Sequence, residues 1–282
     1  MKLCSIRVDG YPHVGIKTDS GVVDITVLGF PAQMNEIIAG GAGMLSDISD
    51  VLRKKAPPEL SEENVKFLPV TEPKKIICEG LNYKSHAKET KGEIPEHPIF
   101  FSKFNDSLSA HGEPVPLPSW LKKYDYEAEL VVIIGRPAYN VSALEAENCI
   151  FGYTCGNDLS ARDSQFLSNQ WLAGKALPGF APVGPYIVTR DSFDPRESHG
   201  IYCEVNGVTV QSGDTSDMIF HCHEAVSSAS RYFPLSIGDM LFTGTPAGVI
   251  LGKKKEERVW LIPGDVLKVK IDGVGTLITP LV

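Results

Sequence analysis

The chain has 282 residues, 43% of them hydrophobic and 22% charged, and its 27 basic and 35 acidic side chains give a formal net charge of −8. This composition is typical of a folded globular protein and excludes a disordered chain or a coiled coil. Because the net charge is negative and no basic block occurs, we expect the protein to bind neither nucleic acid nor an anionic membrane surface. The longest aliphatic run, residues 130–134, is too short to span a bilayer.

The six cysteines are scattered along the chain without a C-x-x-C pair, and the first ten residues lack the apolar stretch of a secretion signal. A chain of this length can bury a hydrophobic core without disulfide bonds. We therefore expect reduced thiols and a cytoplasmic enzyme.

Residues 1–72 are predicted to form a small α+β domain. Alternating apolar residues indicate three short strands, and two stretches with helical spacing flank the breaker Gly40-Gly41. Prolines near its end mark a linker, so the main domain is expected to cover residues 73–282. The strands are expected at 3–8, 13–17 and 22–25, and the helices at 34–38 and 45–55.

The main domain is predicted to consist mostly of strands. Many strands with irregular connections and few helices favour a mainly β fold with some α, in which a mixed sheet is rolled or closed. Asn206-Gly207 lies between two alternating runs and predicts a tight hairpin. The strands are expected at 75–78, 99–104, 126–134, 186–189, 201–205, 208–211, 240–243 and 266–271, and the helices at 143–147 and 223–232.

The strand at 126–134 begins with two acidic residues and continues as an apolar run. Side chains alternate along a strand, so Glu127 and Glu129 should point to the same face. If that face is buried, the two carboxylates need a compensating cation, and a hard divalent ion is suited to this. A solvated strand end with two harmless glutamates is the commoner outcome for such a pattern, and the residues alone leave both interpretations open.

In the segment 152–165, a loop that carries Asn157 and Asp158 is expected to lead into a short helix. Asp158 is a candidate third oxygen ligand, and a role as N-cap of the turn that begins at Leu159 is the commoner one for such a residue. Arg162 and Gln165 are three residues apart and should share one helical face.

Two more candidates carry ionisable groups. Lys175 could hold a substrate anion or stabilise an enolate, unless it is a solvated loop lysine. His86 and Glu89 could form a hydrogen-bonded general base, unless they are an exposed pair on a surface helix. The polar stretch around them, residues 84–97, is a candidate lid.

Two further features of the sequence are a loop rich in glycine and threonine and a pair of histidines. The loop 243–248, which contains Thr245, could cradle a carboxylate but does not match a phosphate-binding loop. His221 and His223 are expected at a helix start, where they diverge, so no zinc site is expected; a thiol enzyme based on Cys222 stays a remote alternative.

Taken together, these segments resemble the fumarylacetoacetate hydrolase superfamily. They occur in that family's order across residues 75–282, and the first part of the chain resembles the family's variable small domain. The matching segments are Gly80-Leu-Asn-Tyr-x-x-His86, Asp125-Tyr-Glu-x-Glu-Leu130, Gly152-Tyr-Thr-x-x-Asn-Asp-Leu-Ser-Ala-Arg-Asp-x-Gln165, Gly174-Lys175 ahead of Pro182-x-Gly-Pro185, Gly238-Asp239 ahead of Thr243-Gly-Thr-Pro-x-Gly-Val249, and Pro263-Gly-Asp-Val266.

The resemblance implies a role for each candidate residue, a rolled β catalytic domain and a homodimer. It implies that Mg²⁺ or Mn²⁺ is bound by Glu127, Glu129 and Asp158, that His86 and Glu89 activate water, that Lys175 contacts substrate beside the metal, and that Arg162, Gln165 and Thr245 contact substrate. Departures from the family pattern at 176–180 and 250–251 border the expected pocket, so they bear on substrate choice.

The activity that the resemblance implies is hydrolysis of a C–C bond in an acylpyruvate-type 2-oxo acid through a metal-bound enolate. Oxaloacetate decarboxylation and isomerisation of 2-hydroxyhepta-2,4-diene-1,7-dioate need the same enolate and stay open as alternatives. A non-catalytic metal-binding scaffold is a more remote one.

Overall fold

The computed structural model describes residues 1–54, 57–90 and 93–282, and strands are its commonest regular elements. In chain order they are β1 (Lys2–Val8), β2 (Tyr11–Lys17), β3 (Val22–Asp24), β4 (Lys66–Phe67), β5 (Ile76–Gly80), β6 (Ile99–Lys103), β7 (Leu108–Ala110), β8 (Tyr124–Asp125), β9 (Ala128–Ile134), β10 (Ile150–Asn157), β11 (Ser160–Ala161), β12 (Ala181–Thr189), β13 (Gly200–Val205), β14 (Val208–Asp214), β15 (Met240–Phe242), β16 (Val266–Ile271) and β17 (Gly275–Pro280).

Within the described ranges, six α-helices accompany these strands. They are α1 (Met34–Lys54), α2 (Lys84–Glu89), α3 (Ala143–Cys149), α4 (Arg162–Gln165), α5 (Leu172–Lys175) and α6 (Cys222–Tyr232). The two helical stretches predicted in the first part of the chain are joined in α1, which has a kink at Gly41, where φ is 58°. The last residue of the second predicted stretch, 55, lies outside the described residues.

The strands form one large mixed sheet and two small ones, which confirms the mainly β prediction. The main sheet has eleven strands in the order β3-β2-β1-β12-β10-β9-β15-β5-β6, with β4 beside β1 and β7 beside β12. In the described ranges no pairing joins its two ends, β3 and β6, so the sheet is open there. The sheet also runs through the first part of the chain, because β1 pairs with β12. The division at 72/73 stays a prediction.

The two faces of the main sheet are covered by different parts of the chain. Along β9, Leu130 and Val132 belong to the core that includes α6, whereas Val131 and Ile133 belong to the core that includes α1. All seven residues of β9 are buried, as expected for a strand covered on both faces. Because side chains alternate, Glu129 lies on the same face as Val131.

The predicted loop begins only at Asp158, because Asn157 is the last residue of a buried strand, β10, which was not predicted. All eight residues of β10 are buried, and it pairs with both β9 and β12. Its glycines and polar residues interrupt the run of apolar residues that indicates a buried strand in a sequence. Gly152 is required there because a Cβ atom would lie 2.2 Å from the Val188 carbonyl oxygen of the neighbouring strand.

The hairpin predicted at Asn206-Gly207 is present between β13 and β14. Both residues have positive φ, 53° and 80°, as this kind of two-residue turn requires. Among the described helices, none combines the length and the apolar character needed to cross a membrane.

Candidate active site

Three acidic side chains from two separate segments of the sequence meet where β9 begins and β10 ends. Glu129 lies in β9, Glu127 immediately precedes that strand, and Asp158 immediately follows β10. The strands are antiparallel neighbours, and the Asp158 amide donates to the Glu127 carbonyl oxygen at 2.9 Å. One carboxylate oxygen from each of the three side chains lies within 4.8 Å of the others. The fold therefore brings together the three residues that the sequence marked as metal ligands.

These carboxylates are buried but not equivalent. Burial, followed by repulsion from Asp158 and Glu127, raises the pKa of Glu129 well above its ordinary value. Burial alone would also raise the pKa of Glu127, but the charges of Lys175 and Arg162 outweigh it and hold that pKa well below the ordinary value. Glu129 is therefore the carboxylate whose charge is least compensated by the protein.

Two buried lysines partly neutralise the three clustered carboxylates. The Lys175 ammonium bridges the site, with its Nζ 2.7 Å from Glu127 Oε2 and 2.7 Å from Asp158 Oδ2. Lys103 Nζ lies 2.6 Å from Asp158 Oδ1. Lys103 was not found from the sequence, because a lysine at a strand end is usually solvated; only the packing of β6 against the site shows that its side chain is buried.

The Lys103 ammonium donates its hydrogen bonds to backbone carbonyl oxygens and not to Asp158. Its ammonium donates to the carbonyl oxygens of Leu159, Lys175 and Phe180, and an ammonium has three donors. Asp158 Oδ1 therefore receives positive charge but no hydrogen bond, although it is buried. A buried carboxylate oxygen without a hydrogen bond, in a cluster of three carboxylates, fits a hard divalent cation such as Mg²⁺ or Mn²⁺.

Arg162 connects the acidic cluster to a fourth buried carboxylate. Its Nη2 lies 2.6 Å from Glu127 Oε1, its Nε lies 2.9 Å from Asp125 Oδ2, and its Nη1 donates to Gln165 Oε1 at 2.8 Å. Arg162 and Gln165 thus share one side of α4, as predicted. Asp125 has the same strand parity as Glu127 and Glu129, so side-chain alternation is a signal in the sequence that could have identified it.

The histidine and glutamate of the predicted general base are in contact. His86 and Glu89 belong to α2, and His86 Nδ1 lies 3.3 Å from Glu89 Oε2. The helix is fixed at its start, because the Ser85 amide donates to Asp217 at 2.9 Å. Residues 84–89 of the predicted lid are therefore an anchored helix, while residues 91 and 92 lie outside the described residues.

One cavity contains nearly all of these groups. It has a volume of about 280 Å³, and its polar lining includes both predicted glutamate ligands, the imidazole, the bridging lysine and all three predicted substrate contacts. Aromatic and aliphatic side chains form the rest of its wall. The lining includes His86, Phe101, Glu127, Glu129, Arg162, Gln165, Phe166, Trp171, Lys175, Thr245 and Leu251.

Two of the sequence hypotheses are modified by the local contacts. The Thr245 hydroxyl donates to the Ala128 carbonyl oxygen at 2.8 Å and accepts from Gln211, so its proton is already used inside the protein. Burial raises the pKa of Cys222 to about 12, so its thiolate is scarce at neutral pH. The latter observation weighs against the thiol-enzyme alternative.

Glu79 in β5 gives a stability prediction outside the acidic cluster. It is 1% exposed, and neither carboxyl oxygen has a hydrogen-bond partner. Burial, and then repulsion from Glu224, raises its pKa well above the ordinary 4.5. The folded protein therefore keeps a proton that the unfolded chain releases above that pH, so the wild-type protein loses stability as the pH rises.

We expect Glu79→Gln to remove this loss, because the amide needs no proton. The stability advantage of the variant should grow by about 1.4 kcal/mol per pH unit above about pH 5, for as long as Glu79 stays protonated in the fold. Urea unfolding of both proteins between about pH 5 and pH 8 measures this difference. Parallel pH profiles for the two proteins would contradict it.

Comparison with known proteins is consistent with this site. Residues 75–282 match the family model "Fumarylacetoacetate (FAA) hydrolase C-terminal". A human relative named "Oxaloacetate tautomerase FAHD2A, mitochondrial" is 37% identical over 278 residues, covering 96% of this chain and 88% of the relative. A Dictyostelium discoideum relative named "Fumarylacetoacetate hydrolase domain-containing protein 2 homolog" is 44% identical over 227 residues, covering 77% and 74%.

Two solved structures extend the comparison to the whole chain. A fumarylacetoacetate hydrolase from Exiguobacterium antarcticum is 33% identical with a TM-score of 0.87, covering 100% of this chain and 99% of that one. A maleylpyruvate hydrolase from Sphingobium sp., solved in complex with manganese (II) ion and pyruvate, is 27% identical with a TM-score of 0.82 and the same coverage.

Proposed function

Because this chain belongs to the fumarylacetoacetate hydrolase family, we propose that it is a divalent-metal-dependent enzyme that interconverts the keto and enol forms of a small 2-oxo diacid such as oxaloacetate. The observation that carries this proposal is one small cavity lined by Glu127 and Glu129 of the acidic cluster, by the buried Lys175 ammonium and by a histidine in contact with a carboxylate. Proton transfer next to a carbonyl group needs these components: a base, and positive charge where the enolate develops.

The size and charge of the cavity favour a short diacid. Its volume of about 280 Å³ lies just below the usual range for ligand pockets, about 300–1,000 Å³. Four buried carboxylates face three buried cations in the connected network of Asp125, Glu127, Glu129, Asp158, Lys103, Arg162 and Lys175. A divalent ion would change this balance from negative to positive, which suits an anionic substrate.

The side chains that line the cavity have different roles in the proposed reaction. A divalent ion held by Glu127, Glu129 and Asp158 would act as a Lewis acid on the oxygens of a 2-oxo acid. His86, oriented by Glu89, takes a proton from the carbon next to the 2-oxo carbonyl and delivers it to the 2-oxo oxygen, which gives the enol; the reverse transfer restores the keto form. Lys175 presents positive charge to the same cavity, which stabilises the negative charge that develops when that proton leaves.

The names of the relatives support the same substrate class. The human relative is named as an oxaloacetate tautomerase, and the Sphingobium structure contains manganese with pyruvate, a 2-oxo acid. Hydrolysis of an acylpyruvate, the activity that the resemblance implied first, is the second candidate. It is favoured by the His86–Glu89 contact of 3.3 Å, since an imidazole paired with a carboxylate is also the arrangement that deprotonates water. The homodimer and the cytoplasmic location stay predictions.

The test follows the enol form of oxaloacetate by its ultraviolet absorbance, with Mn²⁺ and with EDTA. We expect metal-dependent acceleration in the wild-type protein and a fall in kcat of about 10²–10⁴-fold in His86→Gln, with Mn²⁺ affinity unchanged. NMR of the products separates the candidates: oxaloacetate persists with a tautomerase, pyruvate and carbon dioxide appear with a decarboxylase, and an acylpyruvate is cleaved by a hydrolase. A tautomerisation rate that neither EDTA nor His86→Gln changes would contradict the proposal.

A further inference from the structure

The loop 248–252, which follows β15, is hydrogen-bonded to two carboxylates of the candidate site, Glu89 and Asp125. At its start, the Gly248 amide donates to Glu89 Oε1 at 3.0 Å. The other oxygen of the same carboxylate is the one in contact with His86. The loop therefore binds the group that orients the imidazole.

Gly252, at the other end of this loop, leaves the space that the Glu89 carboxylate occupies. A Cβ atom at this position would lie 2.3 Å from Glu89 Cδ and 2.5 Å from Glu89 Oε2. Its φ lies outside the left-handed region, so the backbone itself would accept alanine. The lack of a side chain at Gly252 is thus required by Glu89 and not by the conformation of the loop.

The middle of the loop is hydrogen-bonded to Asp125, which belongs to the network around the acidic cluster. The amides of Ile250 and Leu251 donate to the two carboxyl oxygens of Asp125 at 2.8 and 3.0 Å. Asp125 is fully buried and binds Arg162, which binds Glu127. A continuous series of hydrogen bonds and ion pairs therefore joins the Glu89 carboxylate, through this loop, to one of the three clustered carboxylates.

We propose that the loop 248–252 is a positioning element for the His86–Glu89 pair, and that Gly252 is the positioning residue that keeps the Glu89 carboxylate within reach of the imidazole. The proposal rests on the proposed function only for the role of His86 as the base. Neither Gly252 nor the loop backbone needs to touch substrate; both act through Glu89.

The test is Gly252→Ala. The three atoms nearest to the added methyl group all belong to the flexible end of Glu89, so we expect the variant to fold and to differ from the wild type mainly in the position of that carboxylate. The matched control is Arg258→Ala, which removes a hydrogen bond of 2.9 Å to the Lys253 carbonyl oxygen just beyond the loop. Nitrogen-15 NMR of labelled histidine, with the His86 signal assigned by His86→Gln, reports the Glu89 contact without any substrate.

We expect Gly252→Ala to change the His86 nitrogen signal and to lower kcat about 10²-fold, the scale for a catalytic group displaced by about 1 Å, with Mn²⁺ and oxalate affinities unchanged. Arg258→Ala should match the wild type in all of these measurements. In the background of Glu89→Ala, the Gly252→Ala change should have no further effect, because the group it displaces is already gone.

The outcomes separate this inference from the proposed function. The positioning role would be overturned if Gly252→Ala left the His86 signal unchanged. It would also be overturned if Gly252→Ala lowered kcat by the same factor in the wild-type protein and in Glu89→Ala. A changed signal in a protein that accelerates none of the tested reactions would support the positioning role and contradict the proposed function.

Discussion

Replacing Glu129 with glutamine is expected to abolish divalent-metal binding and to lower metal-dependent turnover by at least about 10³-fold, while leaving the metal-free protein at least as stable as the wild type. The Glu129 carboxylate accepts a hydrogen bond from the Gly244 amide, which an amide oxygen can also accept. It is repelled by Asp158 and Glu127, which contribute to its raised pKa. A neutral side chain of the same shape removes that repulsion and also removes a metal ligand. Calorimetric titration with Mn²⁺ and thermal unfolding in EDTA measure the two effects.

Glu127→Gln is the matched comparison, because it also removes a ligand but disrupts two ion pairs. Glu127 lies 2.6 Å from Arg162 and 2.7 Å from Lys175, and breaking a buried pair costs about 3–5 kcal/mol. We therefore expect Glu127→Gln to lose metal and stability together, and Glu129→Gln to lose metal alone. A Glu129→Gln protein that binds Mn²⁺ with wild-type affinity would contradict this assignment, as would one that unfolds as early as Glu127→Gln.

Lys175→Met is expected to destabilise the metal-free protein by about 3–5 kcal/mol, because it leaves two buried carboxylates without their shared cation. The Lys175 ammonium contacts both Glu127 and Asp158, and solvent screens this contact only weakly, because the three side chains are at most 9% exposed. Mn²⁺ supplies positive charge to the same carboxylates. It should therefore stabilise Lys175→Met by more than it stabilises the wild type. Urea unfolding in EDTA and in Mn²⁺ measures both quantities.

Lys254→Met serves as the control for this variant. Lys254 lies 3.8 Å from Glu257 at the surface, with both side chains more than half exposed, and such pairs contribute about 0–1 kcal/mol. If Lys175→Met unfolds like this control, the ammonium does not neutralise the cluster. The same conclusion follows if Mn²⁺ stabilises Lys175→Met and the wild type equally.

Much of the fold could be predicted where the hydrophobic pattern agrees with the final burial. The apolar run of β9 and the Asn206-Gly207 turn are local signals, and both are confirmed. β10 could not be recognised, because its glycines and polar residues are explained only by the strands packed on either side of it. β17 was missed as well; it completes the four-stranded sheet by pairing with β16.

The candidate site could be predicted only in part, for a similar reason. Side-chain alternation places Glu127 and Glu129 on one face, and the family resemblance adds Asp158, which the structure brings to the same cluster. Lys103 could not be assigned, because its importance lies in long-range contacts that no local pattern encodes. The contact of Gly252 with Glu89 joins residues from α2 and from a loop far along the chain.

The most direct test is X-ray diffraction at the manganese absorption edge, from crystals grown with Mn²⁺ and oxalate, a planar dianion that resembles the enolate of a 2-oxo acid. We predict one strong anomalous peak coordinated by Glu127, Glu129 and Asp158, with oxalate bound to the same ion in the cavity that contains His86. An anomalous map with no peak among these three carboxylates, at Mn²⁺ concentrations that support turnover, would contradict the account.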